Sequence, residues 1–340
     1  KKYLLIRSQK EEFPAEALEE IKQERMVSVS EESSFPPCRV EIVLGMEGRL
    51  FVILPTGVTT YLPFACNAPF VQDPARLKIK DPDISPTNRW LLSRAGEIAA
   101  HAMMAWVSND KLDVERRTQA YRLLSDVDRE DSSLEGSCAA IVEQAIDDTI
   151  RESKFLIAET GDLVSWGECR AVPDLLLNVW SNDQVASFFT DKKRSILSRH
   201  VSIEDRHKLI HWGAVESVEK SDVIDVLESK HLPRPNTWRQ LMMLWAYLSS
   251  EVSVHRYYRS HTGVKIVPVQ GRDVLYAADE VVRLGEKKLL HSDEDWNFLA
   301  ERLLVLNQNW PRFLADQRRK DDDRGDAALG QEIEDAYGLL

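Results

Sequence analysis

The stretch from Arg49 to His101, RLFVILPTGVTTYLPFACNAPFVQDPARLKIKDPDISPTNRWLLSRAGEIAAH, constrains the fold more than any other part of the chain. An apolar run, Leu50 to Leu54, stops at Pro55-Thr56-Gly57. A second, Tyr61 to Phe64, enters a loop rich in Pro and Asp between Pro69 and Pro86. Pro69, Pro74, Pro82 and Pro86 each fix φ, so this loop is stiff. From Thr87 the pattern turns helical: Leu91, Leu92, Ala95, Ile98 and Ala102 recur at helical spacing and predict a helix over Thr87–Val107. An ordinary core needs no loop of this length and stiffness, so the segment reads as one built to reach something.

Elsewhere the chain reads as mixed α/β. Lys2–Ser8 predicts a strand, and Pro14–Arg25 a helix with Pro14 at its start and acidic residues in its first turns. Arg39–Leu44 and Arg49–Leu54 predict strands joined as a hairpin by Gly45-Met46-Glu47-Gly48. Asp113–Leu124 and Cys138–Ser153 add helices, and the polar, turn-rich segment Asp126–Gly136 predicts an inter-domain joint. Lys154–Pro173 then reads strand, turn, strand around Thr160-Gly161-Asp162, and Lys265–Val282 does so again around Gln270-Gly271-Arg272-Asp273. This is a weak internal repeat with a spacing of about 110 residues. Helices are expected around Asn182–Phe189, Ile203–His211, Ser221–Ser229, Trp238–Tyr258 and Asp293–Arg318, the last ended or kinked by Pro311. The charge run Arg318–Asp326 reads as a solvated linker. The expected division is residues 1–125, 137–320 and a charged linker, 321–340.

Bulk properties narrow the function classes. A net charge of −12 disfavours non-specific binding to a phosphate backbone, so no direct nucleic-acid binding is expected. Cys38, Cys66, Cys138 and Cys169 are scattered with no CxxC, which argues against zinc and a disulfide framework and fits a reducing cytoplasm. No apolar run reaches the roughly 20 residues of a membrane span. The chain opens with Lys1-Lys2 rather than Met, and the expectation is a piece of a longer protein.

There is no GxxxxGK[ST] loop, HExxH, GxSxG or Rossmann fingerprint. His207 and His211 have the i,i+4 spacing that would suit a metal on a helix, but no patterned Cys or carboxylate completes a site. Asp126, Asp128, Glu130 and Asp131 lack the pattern of a calcium loop, and no metal site is expected. The Pro69–Pro86 loop carries Arg76, Lys78 and Lys80. A stiff loop bearing an Arg can insert a cation against a phosphate held elsewhere; equally, Arg76 can pair locally with Asp73 or Asp81.

Leu54-Pro55-Thr56, Leu62-Pro63-Phe64, Asn67-Ala68-Pro69-Phe70, Asp73 with Arg76, and Asn88-Arg89-Trp90-Leu91-Leu92 together resemble the segment that follows the nucleotide-binding domain in sacsin-type ATPases. These are GHKL-superfamily relatives of the ninety-kilodalton heat-shock chaperones. The resemblance covers roughly residues 1–105, including an opening, KKYLLIRS…EEIKQER, similar to the bridge leaving the ATPase domain. It implies a transducer-type α/β domain followed by a mostly helical domain decorated with β-hairpins. It implies ATP and Mg²⁺ held mainly by a preceding domain of the same polypeptide, and a cation supplied to the γ-phosphate. The family pattern maps onto Leu62-Pro63, Asn67 and Arg76, making Arg76 the expected catalytic contact, with Lys78 and Lys80 as substitutes and Asn67 beside it. The spacing from Asn67 to Arg76 is longer than in the chaperones proper. Further implications are protein partners or a homodimer, no membrane, and no ATPase activity in this chain alone. Large proteins of this architecture occur in prokaryotic antiviral and DNA-processing systems. The alternative is a non-catalytic scaffold or protein-interaction module.

Overall fold

The computed structural model describes residues 3–24, 35–127, 131–190, 194–249, 263–283, 292–324 and 330–331. It shows a mixed α/β chain that separates into two compact units. The first is Lys1–Cys169 with Leu197–Glu216, the second Arg170–Ile196 with Ser217–Leu340.

The first unit is organised by a five-stranded sheet. Its strands are β1 (Leu4–Arg7), β2 (Glu41–Leu44), β3 (Arg49–Val52), β4 (Leu54–Thr59) and β5 (Phe64–Asn67), in the order β1-β2-β5-β3-β4. The expected hairpin between the second and third strands does not form. β5 lies between them, antiparallel to β2 with Asn67 opposite Glu41, and parallel to β3 with Cys66 opposite Leu50. The reason is in the sequence of β5: Phe64, Ala65 and Cys66 are all fully buried, so both faces of this strand need cover and it takes a central place. The Gly45–Gly48 segment is therefore a crossover. Gly48 is needed for close backbone approach, since a Cβ there would overlap the carbonyl oxygens of Thr60 and Leu62.

The chain also reverses earlier than Pro55-Thr56-Gly57. The turn centres on Ile53, at φ +66°, and Pro-Thr-Gly lies inside β4. β4 is an edge strand, where the missing N–H of Pro55 is tolerated. Thr56 Oγ1 donates to Leu50 O at 2.8 Å and fastens the edge back to β3.

Helix α1 (Ala15–Glu24) follows β1, with Pro14 just before its first residue. Helix α2 (Pro86–Val107) starts where the apolar pattern places it. Ser85 caps it by accepting from Asn88 N at 3.2 Å, with Pro86 at the first helical position. Leu91, Leu92, Ala95 and Met103 are fully buried, whereas Trp90 is half-buried against Phe13 at 5.6 Å between ring centroids. After a short helix α3 (Val114–Thr118), helix α4 (Leu134–Ile150) packs along α2. Gly96 makes this approach possible: a Cβ would strike Val142 and Ala145. The segment 126–136 therefore lies within one compact unit, and the chain passes between the units at 169/170, 196/197 and 216/217.

The repeat is visible in three dimensions. In the first unit β6 (Lys154–Ile157) pairs with β7 (Leu163–Ser165), Leu197 bridges Ala158, Ser198 N donates to Ile157 O at 2.9 Å, and a helix follows at Ile203–His211. In the second, Lys265–Pro268 pairs with Leu275–Ala277, Leu306 bridges Val269, Asn307 N donates to Pro268 O at 3.0 Å, and a helix follows at Asn309–Arg324. Each unit holds one copy.

The core of the second unit gathers Trp245, Trp310, Leu241, Leu244 and Leu314, with Trp245 Nε1 donating to Ile266 O at 2.8 Å. Trp238–Leu248 is the described part of the aromatic helix; residues 250–262 lie outside the described residues. The long helix expected over Asp293–Arg318 is two helices, Asp293–Arg302 and Asn309–Arg324. Val305 and Leu306 between them are extended because they bridge Val282 and Val269. Pro311 falls in the first turn of the second helix, where its missing N–H costs nothing. That helix runs on through the expected linker as far as Arg324, while residues 325–329 and 332–340 lie outside the described residues. No helix among the described residues is long and apolar enough to cross a membrane.

Candidate functional site

The loop from Val71 to Lys80 folds back on itself. Lys80 N donates to Val71 O at 2.8 Å, Gln72 bridges Ile79, and Asp73 N donates to Lys78 O at 3.0 Å. At its tip Arg76 N donates to Asp73 O at 2.9 Å, closing a turn with Pro74 in the second position, the place a pre-set φ favours. Arg76 itself stands at φ +56°, the left-handed conformation that completes such a three-residue reversal. Only glycine adopts it freely; for arginine it costs on the order of 1 kcal/mol.

The surroundings hold this conformation. Asp73 Oδ1 accepts from Leu77 N at 2.9 Å and Lys78 N at 3.2 Å, and Gly57 N of edge strand β4 donates to Leu77 O at 2.6 Å. At the base the fully buried Asn88 clamps both limbs. Its Oδ1 accepts from Val71 N at 2.8 Å, and its Nδ2 donates to Val71 O at 2.8 Å and Lys80 O at 2.7 Å.

The sequence-predicted site residues separate into different roles. Lys80 is an anchor: its Nζ sits 2.9 Å from both Glu20 Oε1 and Glu24 Oε1 of α1, and the hydrogen bonds to Glu24 and Glu20 raise its pKa. Glu20 in turn accepts from Ser85 Oγ at 2.9 Å and Thr87 N at 3.0 Å at the start of α2. Burial alone would raise the Glu20 carboxyl, but the bonds from Thr87, Lys80 and Ser85 together outweigh it and hold its pKa below the usual value. Lys78 reaches Glu135 of α4 at 3.3 Å. Asn67 has both amide atoms engaged, Oδ1 accepting from Ile53 N at 3.1 Å and Nδ2 donating to Glu41 Oε2 at 2.9 Å, so it shapes the Ile53 turn.

Arg76 is exposed, and its guanidinium has no carboxylate partner among the described residues. The local alternative is not realised: Asp73 serves the loop backbone, and Asp81 Oδ1 accepts from Asp83 N at 2.8 Å. Arg76 and Asn67 both line a cavity of about 800 Å³ whose walls include Phe13, Phe70 and Val52. The arrangement can present one fixed positive charge, from a braced loop, to an anion arriving from outside.

Asn88 and Glu20 are the positioning residues that sequence reasoning missed. Ser85 three residues ahead of Asn88 signals a helix cap, but nothing in the sequence says that the Asn88 amide turns back onto the loop. Glu20 lies 65 residues from Ser85 and carries no local signal at all. His207 and His211 do share a helix, with His211 Nε2 3.6 Å from Asp126 Oδ1, and no group of three His, Cys, Asp or Glu gathers as a metal site among the described residues. Burial pushes the thiols of Cys66, Cys138 and Cys169 up to about 12. Comparison with known families, with curated proteins and with solved structures finds no match.

Proposed function

We propose that this chain is the transducer-type middle region of a large cytoplasmic GHKL-type, sacsin-like ATPase, and that Arg76 is the cation it offers to the γ-phosphate. In this reading a transducer-type α/β domain leads into a helical, hairpin-bearing one. ATP and Mg²⁺ are bound by a preceding domain of the same polypeptide, with a homodimer or further protein partners completing the assembly. One observation carries the reading. Of the three cations on the loop, Lys78 and Lys80 are committed to carboxylates, while Arg76 has no carboxylate partner among the described residues and is held in a strained conformation that the surrounding hydrogen bonds maintain. Strain kept at an exposed arginine is better explained by use than by folding.

The experiment is a reconstitution. The ATP-binding domain is assayed for hydrolysis with and without this chain attached, and then with Arg76→Lys. Hydrolysis depends on the chain, and the lysine variant recovers only part of it, because a point charge does not copy a planar fork. An ATP-binding domain equally active without the chain removes the reading.

A further inference from the structure

Arg39 is a second arginine among the residues that line the cavity of Arg76. The backbone on either side of it is anchored. Cys38 and Glu11 exchange hydrogen bonds at 2.8 and 3.0 Å, and Val40 accepts from Ser8 N at 2.9 Å. Cys38 and Val40 are buried and Arg39 is exposed, the alternation of an extended strand with one face in the core. Among the described residues, the carboxylates that line the same cavity are already used: Asp73 by Leu77 N and Lys78 N, Glu24 by Lys80. Neither arginine has a carboxylate partner among the described residues, in a chain whose net charge is −12. Phe13, Phe35 and Phe70 line the cavity beside the polar Asn67 and Gln72, and an anion entering it would meet the arginines through charge-assisted hydrogen bonds.

We propose that the cavity receives an oligophosphate chain gripped by Arg39 together with Arg76. The inference rests on the reading of Arg76 given above and adds a partner to it: two guanidinia on one cavity suit an anion with oxygens on more than one phosphorus centre. The volume, about 800 Å³, is that of a ligand-sized site and exceeds what a phosphate chain alone needs. The chemistry on its rim recognises the phosphate end and makes no demand on a nucleoside.

The test is calorimetric titration of the chain with inorganic tripolyphosphate, ATP and adenosine at low salt. Tripolyphosphate and ATP bind with similar affinity and adenosine does not bind. Arg39→Ala, Arg39→Gln and Arg76→Ala each weaken tripolyphosphate about tenfold or more, as loss of a charge-assisted bond does. Arg49→Ala, an exposed arginine outside the cavity, leaves it unchanged. Four results overturn the proposal: no tripolyphosphate binding at millimolar concentration, ATP binding more than tenfold tighter than tripolyphosphate, an Arg49→Ala loss equal to the others, or silent Arg39 variants. The last, with Arg76→Ala still effective, removes Arg39 and leaves the reading of Arg76 standing.

Discussion

Among the described residues, two that are not glycine, Ile53 and Arg76, stand in the left-handed region, and both belong to the cavity that carries the proposed chemistry. Ile53 is 89% exposed, so no packing gain accounts for a β-branched side chain there; its conformation is set by the bond from its N–H to Asn67. Arg76→Gly removes the left-handed penalty and adds unfolded-state entropy, two effects of opposite sign and similar size. The variant therefore melts within about 1 kcal/mol of the parent while losing whatever the guanidinium does. Chemical denaturation checks this; a loss above about 2 kcal/mol would make the Arg76 side chain a structural member of the loop. The sequence put Arg76 first through a family resemblance, with Lys78 and Lys80 as substitutes, and offered no residue-level reason to set the lysines aside. Only the folded chain shows Glu20, Glu24 and Glu135, remote in sequence, drawing off the two lysines.

At the scale of elements, Glu20 ties three together: α1, which carries it, the loop through Lys80, and the start of α2 through Ser85 and Thr87. Its carboxyl pKa is lowered from 4.5, so the stability it contributes is present above that value and is lost as pH falls through the folded pKa. Glu20→Gln leaves polar groups mismatched in a buried site and should cost about 1–3 kcal/mol at neutral pH. The difference from the parent shrinks as pH drops below 4.5, which urea denaturation at a series of pH values measures. A difference that stays constant through the acid range would detach the network from the Glu20 charge. Helical periodicity made α2 legible, cap included, because Ser85 and Pro86 act locally. The pairing of β2 and β3 was misread because a Gly-rich four-residue connection looks the same whether it closes a hairpin or carries the chain past an intervening strand. Only the double-sided burial of β5 distinguishes the two, and a four-residue apolar run does not reveal it.

For the whole molecule, the polar segment 126–136 looked like a boundary because composition marks loops, not the packing of what flanks them. The packing of α4 on α2 makes it an internal connection. A protease cut there should leave the two pieces together: they co-elute in gel filtration under native conditions and separate only in denaturant. Separation without denaturant would restore a boundary at 126–136. The repeat, by contrast, was legible from two Gly-centred turns. The bridges of Leu197 and Leu306 to matching positions extend it from a pair of hairpins to a module with its own following helix.

On the function proposed above, a phosphate is the group Arg76 is held out to meet. The most direct test is single-turnover hydrolysis by the polypeptide that joins this chain to the proposed ATP-binding domain, with Arg76→Ala compared to the parent and nucleotide affinity measured on the same preparations. A cation that acts on charge developing at the γ-phosphate contributes to the transition state and little to binding of the adenosine end. Hydrolysis by Arg76→Ala is then slower by about 10²-fold or more, a loss larger than the roughly tenfold weakening expected for binding of the phosphate end. Normal hydrolysis by Arg76→Ala, in a protein whose parent hydrolyses ATP, would contradict it.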